Sequence, residues 1–231
     1  MNAWIVSNKF WLLLGVAAVF NCYWVTQHKK KLGINGWIAI ALSIVHMLCA
    51  VLFAKLFAFM EGAPGGMSLY GGHFFLPVLF CVAAWGTKRS IANACDVFTI
   101  PSIVVVACAR MNCVLSGCCL GTIIPGTDGW RWPTREIELV LYIVLFLFLS
   151  KKIGNPEYKG KLYPIYMISY GAFRFIVEWF RESDNTVGFI HVSHLWSIIA
   201  ITIGILSIYL ISRKASFVKK NRKSARNVNG V

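Results

Sequence analysis

Trp37-Ile38-Ala39-Ile40-Ala41-Leu42-Ser43-Ile44-Val45-His46-Met47-Leu48-Cys49-Ala50-Val51-Leu52-Phe53-Ala54-Lys55-Leu56-Phe57-Ala58-Phe59 is an apolar run that carries a single charge, Lys55. As a helix rising about 1.5 Å per residue, it is long enough to cross a hydrocarbon layer of about 30 Å. A soluble core has no use for a run of this length. Lys55, near its far end, has a stem long enough to carry its charge to the interface. Further apolar runs lie on either side, at about Phe10–Val25, Leu69–Trp85, Val97–Met111, Glu136–Leu149, Tyr163–Phe180 and Val192–Ile211. The chain is 58% hydrophobic, has nine acidic residues and has a mean hydropathy of +0.65. The expected fold is therefore all-α: one polytopic membrane domain over residues 1–231, with seven transmembrane helices within about 10–212 and a basic tail over about 213–231.

The formal charge of +14 raises the question of nucleic acid, but its distribution argues for topology instead. Lys29 to Lys31, Lys88 and Arg89, Lys151, Lys152, Lys159, Lys161 and seven tail residues put sixteen basic residues on one side. The positive-inside rule places that side, and the C-terminus, in the cytoplasm and the N-terminus outside. The tail run Lys219-Lys220-Asn221-Arg222-Lys223 is expected to meet anionic headgroups of membrane lipids. No cleavable signal is expected, because lysines follow the first apolar run. The opposite side holds Lys9 and five arginines: Arg110, Arg131, Arg135, Arg174 and Arg181. Those arginines oppose the topological rule, so a ligand is the better reason for them.

Two stretches concentrate the arginines. In Tyr170-Gly171-Ala172-Phe173-Arg174-Phe175-Ile176-Val177-Glu178-Trp179-Phe180-Arg181, helical spacing puts Tyr170, Arg174, Glu178 and Arg181 on one face. The plainer reading is an Arg174–Glu178 pair holding two helices together. The sharper reading is an anion site, since guanidinium forks match phosphate oxygens in a low-dielectric cleft. Arg110-Met111-Asn112-Cys113-Val114-Leu115-Ser116-Gly117-Cys118-Cys119-Leu120-Gly121-Thr122 ends the fourth run and offers a second arginine to the same outer leaflet. An arginine in such a run needs a partner or a task.

Gly65-Gly66-Met67-Ser68-Leu69-Tyr70-Gly71-Gly72-His73 is a re-entrant turn or close-packing segment on the plainer reading. On the sharper one it brings Tyr70 or His73 to the headgroup as a proton carrier, His73 being the better base by intrinsic pKa. Thr134 suits the N-cap of the fifth helix, with Glu136 complementing its dipole. Glu138, deeper, is placed to pair with an arginine of the cleft. His46 reads as a packing residue, and His191 and His194 sit at the mouth of the seventh span. Among eight cysteines only Cys113, Cys118 and Cys119 cluster. Small-residue packing, a disulfide from Cys113 to Cys118 or Cys119, and a nucleophilic thiol near Arg110 all remain open. The C-x4-C-C spacing lacks the second pair of a zinc knuckle, so no metal and no cofactor are assigned.

These motifs, in this order, resemble the prolipoprotein diacylglyceryl transferase family over about residues 10 to 212. The resemblance rests on the Gly-Gly-x4-Gly-Gly segment ending at Gly71-Gly72 and on Arg-x5-Ser-Gly-x3-Gly from Arg110 through Ser116. It rests further on Pro-Thr-x3-Glu ending at Glu138 and, most specifically, on Tyr-Gly-x2-Arg-Phe-x2-Glu-x2-Arg from Tyr170. It implies a bacterial inner-membrane transferase that moves diacylglycerol from phosphatidylglycerol to the thiol of a lipobox-bearing prolipoprotein. It further implies that Arg110 and Arg174 hold the headgroup or assist its departure, with Glu178, Arg181, Tyr170 and Glu138 as polar partners. Where the family has asparagine, asparagine and glutamate, this chain has Cys113, Ser116 and Cys118. The family's histidine position is Tyr70, and a glutamine near the last span is replaced by His194. The anion-binding half of the site is kept, and the half that handles proton and acceptor is changed. The expected activity is diacylglyceryl transfer to a prolipoprotein cysteine or another acceptor. The alternatives are a thiol-disulfide oxidoreductase using Cys113, Cys118 and Cys119, and a non-catalytic lipid-binding protein.

Overall fold

A computed structural model of the chain describes residues 3–62, 66–86, 88, 90–182, 186–187 and 190–228. Gly65 of the glycine stretch and Arg89 lie outside the described residues, as do the side chains of the basic tail beyond Lys214. The helices are α1 (Ala3–Gln27), α2 (Lys29–Leu32), α3 (Gly36–Met60), α4 (Leu69–Gly86), α5 (Ile91–Ser116), α6 (Thr134–Ser150), α7 (Leu162–Glu178) and α8 (Val192–Val228). A 3-10 turn at Pro156–Tyr158 precedes α7, and the two-residue strands β1 (Thr186–Val187) and β2 (Ile190–His191) pair antiparallel before α8.

Among the described residues, five helices are long and apolar enough to cross a membrane: α3, α4, α5, Asn8–Gln27 of α1 and Val192–Lys214 of α8. Helices α6 and α7 are shorter, at 17 residues each, and they carry Glu138, Arg174 and Glu178 inside their length. The outside of the bundle is apolar, with Trp37, Leu48, Leu52, Val78, Val82, Val140, Val144 and Leu210 all exposed. Such a surface in water would be an association patch; around a helix bundle of this hydropathy it is the surface that lipid solvates.

Helix α5 is the axis of the bundle. Val97, Phe98, Ile100 and Ile103 are buried on it, and it packs against α1, α4, α6 and α7. Several polar groups inside find partners across the bundle, as a medium without water favours. Asn21 Nδ2 donates to the Ser43 carbonyl at 2.8 Å, and Trp24 Nε1 to the Val97 carbonyl at 3.1 Å. His46 is fully buried between Phe80 and Phe98 with Nε2 3.1 Å from Ser102 Oγ, the packing role its sequence context suggests.

Helix α5 begins earlier than the apolar run because Asn93 and Asp96 are used structurally. Asn93 Nδ2 donates to the Lys31 carbonyl at 2.9 Å. The buried Asp96 carboxylate accepts from the Gly160 and Leu162 amides at 2.7 and 3.2 Å, satisfying donors at the start of α7. Asp96→Ala orphans both amides and is expected to destabilise the protein by on the order of 3 kcal/mol. Asp96→Asn, which keeps one acceptor oxygen, should lose roughly half as much. Thermal midpoints of the purified protein read this directly, and an unchanged midpoint in the alanine variant would refute it.

Candidate functional site

Three helices bring their charges to one level. Arg110 lies six residues before the end of α5, Glu138 four residues into α6, and Arg174 four residues before the end of α7. Each is therefore about 6–9 Å in from its helix end. Glu138 is the hub: its Oε2 is 2.5 Å from Arg110 Nε and its Oε1 is 2.5 Å from Arg174 Nη1. Arg174 Nη2 reaches Glu178 Oε2 at 2.7 Å, so its fork spans two carboxylates. The Arg174–Glu178 pair lies within α7 and does not join two helices; the joints between helices are the two ion pairs to Glu138. Helix α7 ends at Glu178, yet Arg181 in the following turn still approaches Glu178 Oε2 at 3.6 Å, as the one-face spacing requires. His191 Nδ1 stands 3.7 Å from Glu178 Oε1.

Arg110, Glu138, Arg174 and Glu178 are no more than 5% exposed. Arg110, Arg174 and Arg181 set three positive charges against the two negative charges of Glu138 and Glu178. The neighbouring Arg131 and Arg135 are balanced by Glu182 at 2.6 Å and Glu136 at 3.2 Å. The cleft thus holds one cation in excess, and burial sharpens its effect. Arg174 Nε, Arg181 Nε and the Tyr142 hydroxyl are buried without a hydrogen-bond partner among the described residues.

The loop after α5 closes over this level. Thr122 N donates to the Phe180 carbonyl at 2.9 Å, Glu182 N to the Leu120 carbonyl at 3.1 Å, and Trp132 N to the Thr122 carbonyl at 3.1 Å. Arg131 Nη1 adds a bond to the Gly121 carbonyl at 3.0 Å. The loop so tied leads through Pro133 into α6. Thr134 is the first residue of that helix, with Pro133 in the cap position and no side-chain cap bond, so the expected threonine N-cap does not form.

Beneath the charges lies an aromatic layer. The His73 ring stacks on Tyr170 at 3.8 Å and on Tyr166 at 5.2 Å. Its Nδ1 meets the Leu69 carbonyl, which can only accept, so Nδ1 carries the proton and Nε2 accepts from the Tyr166 hydroxyl at 2.6 Å. The Tyr163 hydroxyl donates to the His73 carbonyl. Tyr70 packs edge-on to Tyr170 at 5.6 Å, with its hydroxyl donating to the Ser193 carbonyl at 2.9 Å. His194 is buried between Phe175 and Trp179. An apolar cavity of about 70 Å³ borders this layer, lined by Leu13, Ala54, Gly72, His73, Val106 and Tyr166 among others.

Not every expected site residue reaches the cleft. Gly71 and Gly72 stand in the first turn of α4 and not in a loop. A Cβ on Gly71 would overlap the Phe53 carbonyl and come within 2.7 Å of Phe57 Cβ, so this glycine serves the contact of α4 with α3. Gly72 has room, with Leu76 Cδ1 at 3.8 Å. Gly71→Ala is accordingly expected to destabilise the protein by about 1–3 kcal/mol, while Gly72→Ala is tolerated. Comparable midpoints for the two variants would contradict the packing role. Ser116 is exposed at the end of α5 and shares no hydrogen bond or ion pair with the cluster. Cys113, Cys118 and Cys119 are free thiols, with no disulfide among them. The neighbouring Cys113 thiol, with the Arg181 and Arg110 guanidinium groups adding to it, lowers the Cys119 thiol from its ordinary value against the effect of burial.

Tyr142 and Tyr166 are members of this site that the motif reading passed over. The signal was present: Tyr142 follows Glu138 by four residues on α6, and Tyr166 precedes Tyr170 by four on α7.

A family model described as prolipoprotein diacylglyceryl transferase matches residues 11–210. A phosphatidylglycerol–prolipoprotein diacylglyceryl transferase from Mannheimia succiniciproducens is 29% identical over 232 residues, covering 90% of this chain and 85% of that protein. Its counterpart from Pasteurella multocida is 28% identical over 203 residues, 80% of this chain and 74% of that protein. The one from Pseudoalteromonas translucida is 30% identical over 135 residues, and this match spans 54% of the chain and only half (50%) of that relative.

Proposed function

Because the chain belongs to the prolipoprotein diacylglyceryl transferase family, we propose that it moves a diacylglyceryl group from phosphatidylglycerol to the cysteine thiol of a prolipoprotein. The observation that carries this reading is the single uncompensated cation of the buried cleft, Arg110, Arg174 and Arg181 against Glu138 and Glu178. A phosphodiester brings one negative charge and neutralises it. Guanidinium groups suit that ligand because their donors are fixed in a plane that matches two phosphate oxygens.

The reaction is displacement at a glyceryl carbon. The acceptor thiol gives up its proton to water, its sulfur forms a C–S bond, the C–O bond to phosphate breaks, and glycerol phosphate leaves with the electron pair. Charge grows on the departing phosphate as that bond lengthens. Arg110 and Arg174, held in place by Glu138, stabilise it without reorganising, which is where preorganised donors contribute most. Tyr170, stacked beneath on His73, gives the cleft a rigid apolar floor, and the cavity beside His73 and Gly72 takes part of an acyl chain. Tyr70 is engaged with α8, and His73 with Tyr166. These two act as positioning groups in this reading, with Tyr166 linking His73 to the floor.

The seven-span reading completes the picture. With α6 and α7 crossing beside the five longer helices, the cleft faces the outer leaflet, the N-terminus is outside and the C-terminus is in the cytoplasm of a bacterial inner-membrane protein. The sixteen basic residues on the opposite side support that orientation.

The test is reconstitution of the full chain in vesicles with labelled phosphatidylglycerol and a lipobox peptide. Diacylglyceryl peptide and glycerol phosphate should appear in equal amounts. If neither forms while the protein is folded and inserted, the reading fails.

A further inference from the structure

The linear spacing of the cysteines argues against a metal, but the fold removes that argument. The Sγ atoms of Cys113, Cys118 and Cys119 all lie within 4.8 Å of one another. A tetrahedral zinc with metal–sulfur bonds of about 2.3 Å holds its sulfurs about 3.8 Å apart. Each pair is therefore within about 1 Å of the separation a metal imposes. A disulfide asks much less of the chain, since it needs one close pair and leaves the third thiol unexplained; here three thiols converge.

The backbone is bent to make them converge. Helix α5 stops at Ser116, and Gly117 at φ 70 turns the chain back over the last turn. Cys119 is left-handed at φ 57, a conformation costly for a side chain with a Cβ and retained where the surroundings enforce it. Cys118 Sγ donates weakly to the Cys113 carbonyl at 3.8 Å. The bonds from Glu182 N to the Leu120 carbonyl and from Thr122 N to the Phe180 carbonyl then pin the loop immediately downstream. Strain, tethering and convergence together describe a preorganised ligand set.

We propose that Cys113, Cys118 and Cys119 are three thiolate ligands of one zinc(II) ion, whose fourth position takes the thiol of the acceptor. Among the described residues no fourth histidine, cysteine or carboxylate joins the group. Three protein ligands with one exchangeable position is the arrangement of reactive zinc sites, and soft sulfur donors select this class of cation. The nearby guanidinium groups of Arg110 and Arg181 favour thiolates over thiols. Cys113 follows Arg110 by three residues on α5, so the two side chains share a face one turn apart. The zinc would deliver a sulfur next to the phosphate cleft.

The step balances simply. The acceptor R–SH binds zinc as R–S⁻ and releases its proton to water. The bound sulfur attacks the glyceryl carbon, the C–O bond breaks toward phosphate, and the resulting thioether, a poor zinc ligand, departs. No oxidant or reductant is needed. The acceptor part rests on the transferase reading above, whereas the metal part stands by itself.

The experiment uses the full chain in detergent, kept reduced with a phosphine and loaded with cobalt(II) as a spectroscopic stand-in that zinc(II) displaces. One equivalent should give a sulfur-to-cobalt charge-transfer band. That band should vanish in both Cys113→Ser and Cys119→Ser and persist in Cys108→Ser. Zinc affinity in the first two should fall by more than the roughly 10–100-fold that loss of an outer-shell partner costs. A lipobox peptide should shift the cobalt d–d bands, and its Cys→Ser counterpart should not. Absence of a thiolate band, or an equal band in Cys113→Ser, overturns the site; bands unmoved by the cysteine peptide overturn its acceptor role. Transfer that survives complete zinc removal also overturns that role but leaves the transferase reading intact. No transfer by the zinc-loaded enzyme strikes the transferase reading and spares the site.

Discussion

Arg174→Ala is expected to lower the rate of phosphatidylglycerol-dependent transfer by about 10²–10³-fold, the usual effect of removing one preorganised donor from a developing anion. The expectation follows from the double engagement of this residue, with Nη1 on Glu138 and Nη2 on Glu178. The loss should fall on kcat and on kcat/KM together, because the interaction strengthens as charge moves onto the leaving phosphate. Arg174→Lys separates charge from shape. It keeps the cation but cannot bridge two carboxylates, so it should recover only part of the rate. It also guards against misreading an unfolded alanine variant as an inactive one. Initial rates in vesicles, with insertion checked for each variant, decide the matter; an alanine variant within about twofold of the parent would exclude Arg174 from the chemistry.

Glu138→Ala should produce the largest loss of stability available from one side chain here. It leaves Arg110 and Arg174 buried and facing each other without the carboxylate that separates them. Breaking a buried pair from one side costs about 3–5 kcal/mol, and this glutamate serves two pairs. For a chain of this size that is a fall in thermal midpoint on the order of 10 °C. Glu182→Ala is the contrast. Its partner Arg131 is at 2.6 Å, close to the 2.5 Å of the Glu138 pairs, but Glu182 is 59% exposed. A surface pair contributes at most about 1 kcal/mol, so its midpoint should hardly move. Equal losses in the two variants would mean that Glu138 is not the hub.

The apolar runs were legible because length and apolar composition mark them, and most of their limits in the sequence and in the helices differ by a few residues. The helices outrun the apolar runs most at the end of α8 (Val228 against Ile211), then at the start of α1 (Ala3 against Phe10) and of α5 (Ile91 against Val97). At the start of α5, Asp96 and Asn93 broke the hydropathy pattern while serving the fold through bonds to Gly160, Leu162 and Lys31. The arginine cleft was legible because helical spacing gathers Tyr170, Arg174 and Glu178, and because charge in an apolar run asks for a reason. The centrality of Glu138 was not, since it depends on three helices meeting at one depth. For Gly71 the plainer of the two sequence readings, close packing, is the one the Phe53 carbonyl against it bears out. The cysteines show the limit most plainly. Linear spacing predicts a metal site only when the backbone between ligands is regular, and here two left-handed residues, Gly117 and Cys119, set the geometry.

The loop that ties the end of α5 to the turn after α7 has a consequence for the bilayer around it. Helices usually answer a membrane thinner or thicker than their apolar length by tilting, each at its own small cost. Here the segments that follow α5 and α7 are joined by backbone bonds from Thr122 to Phe180 and from Glu182 to Leu120, which couples any tilt of the two helices. Hydrophobic mismatch is left to α1, α3 and α4, which carry none of the cleft's charged groups. Transfer measured across a series of lipid chain lengths should therefore stay nearly level, even as the outer helices adjust.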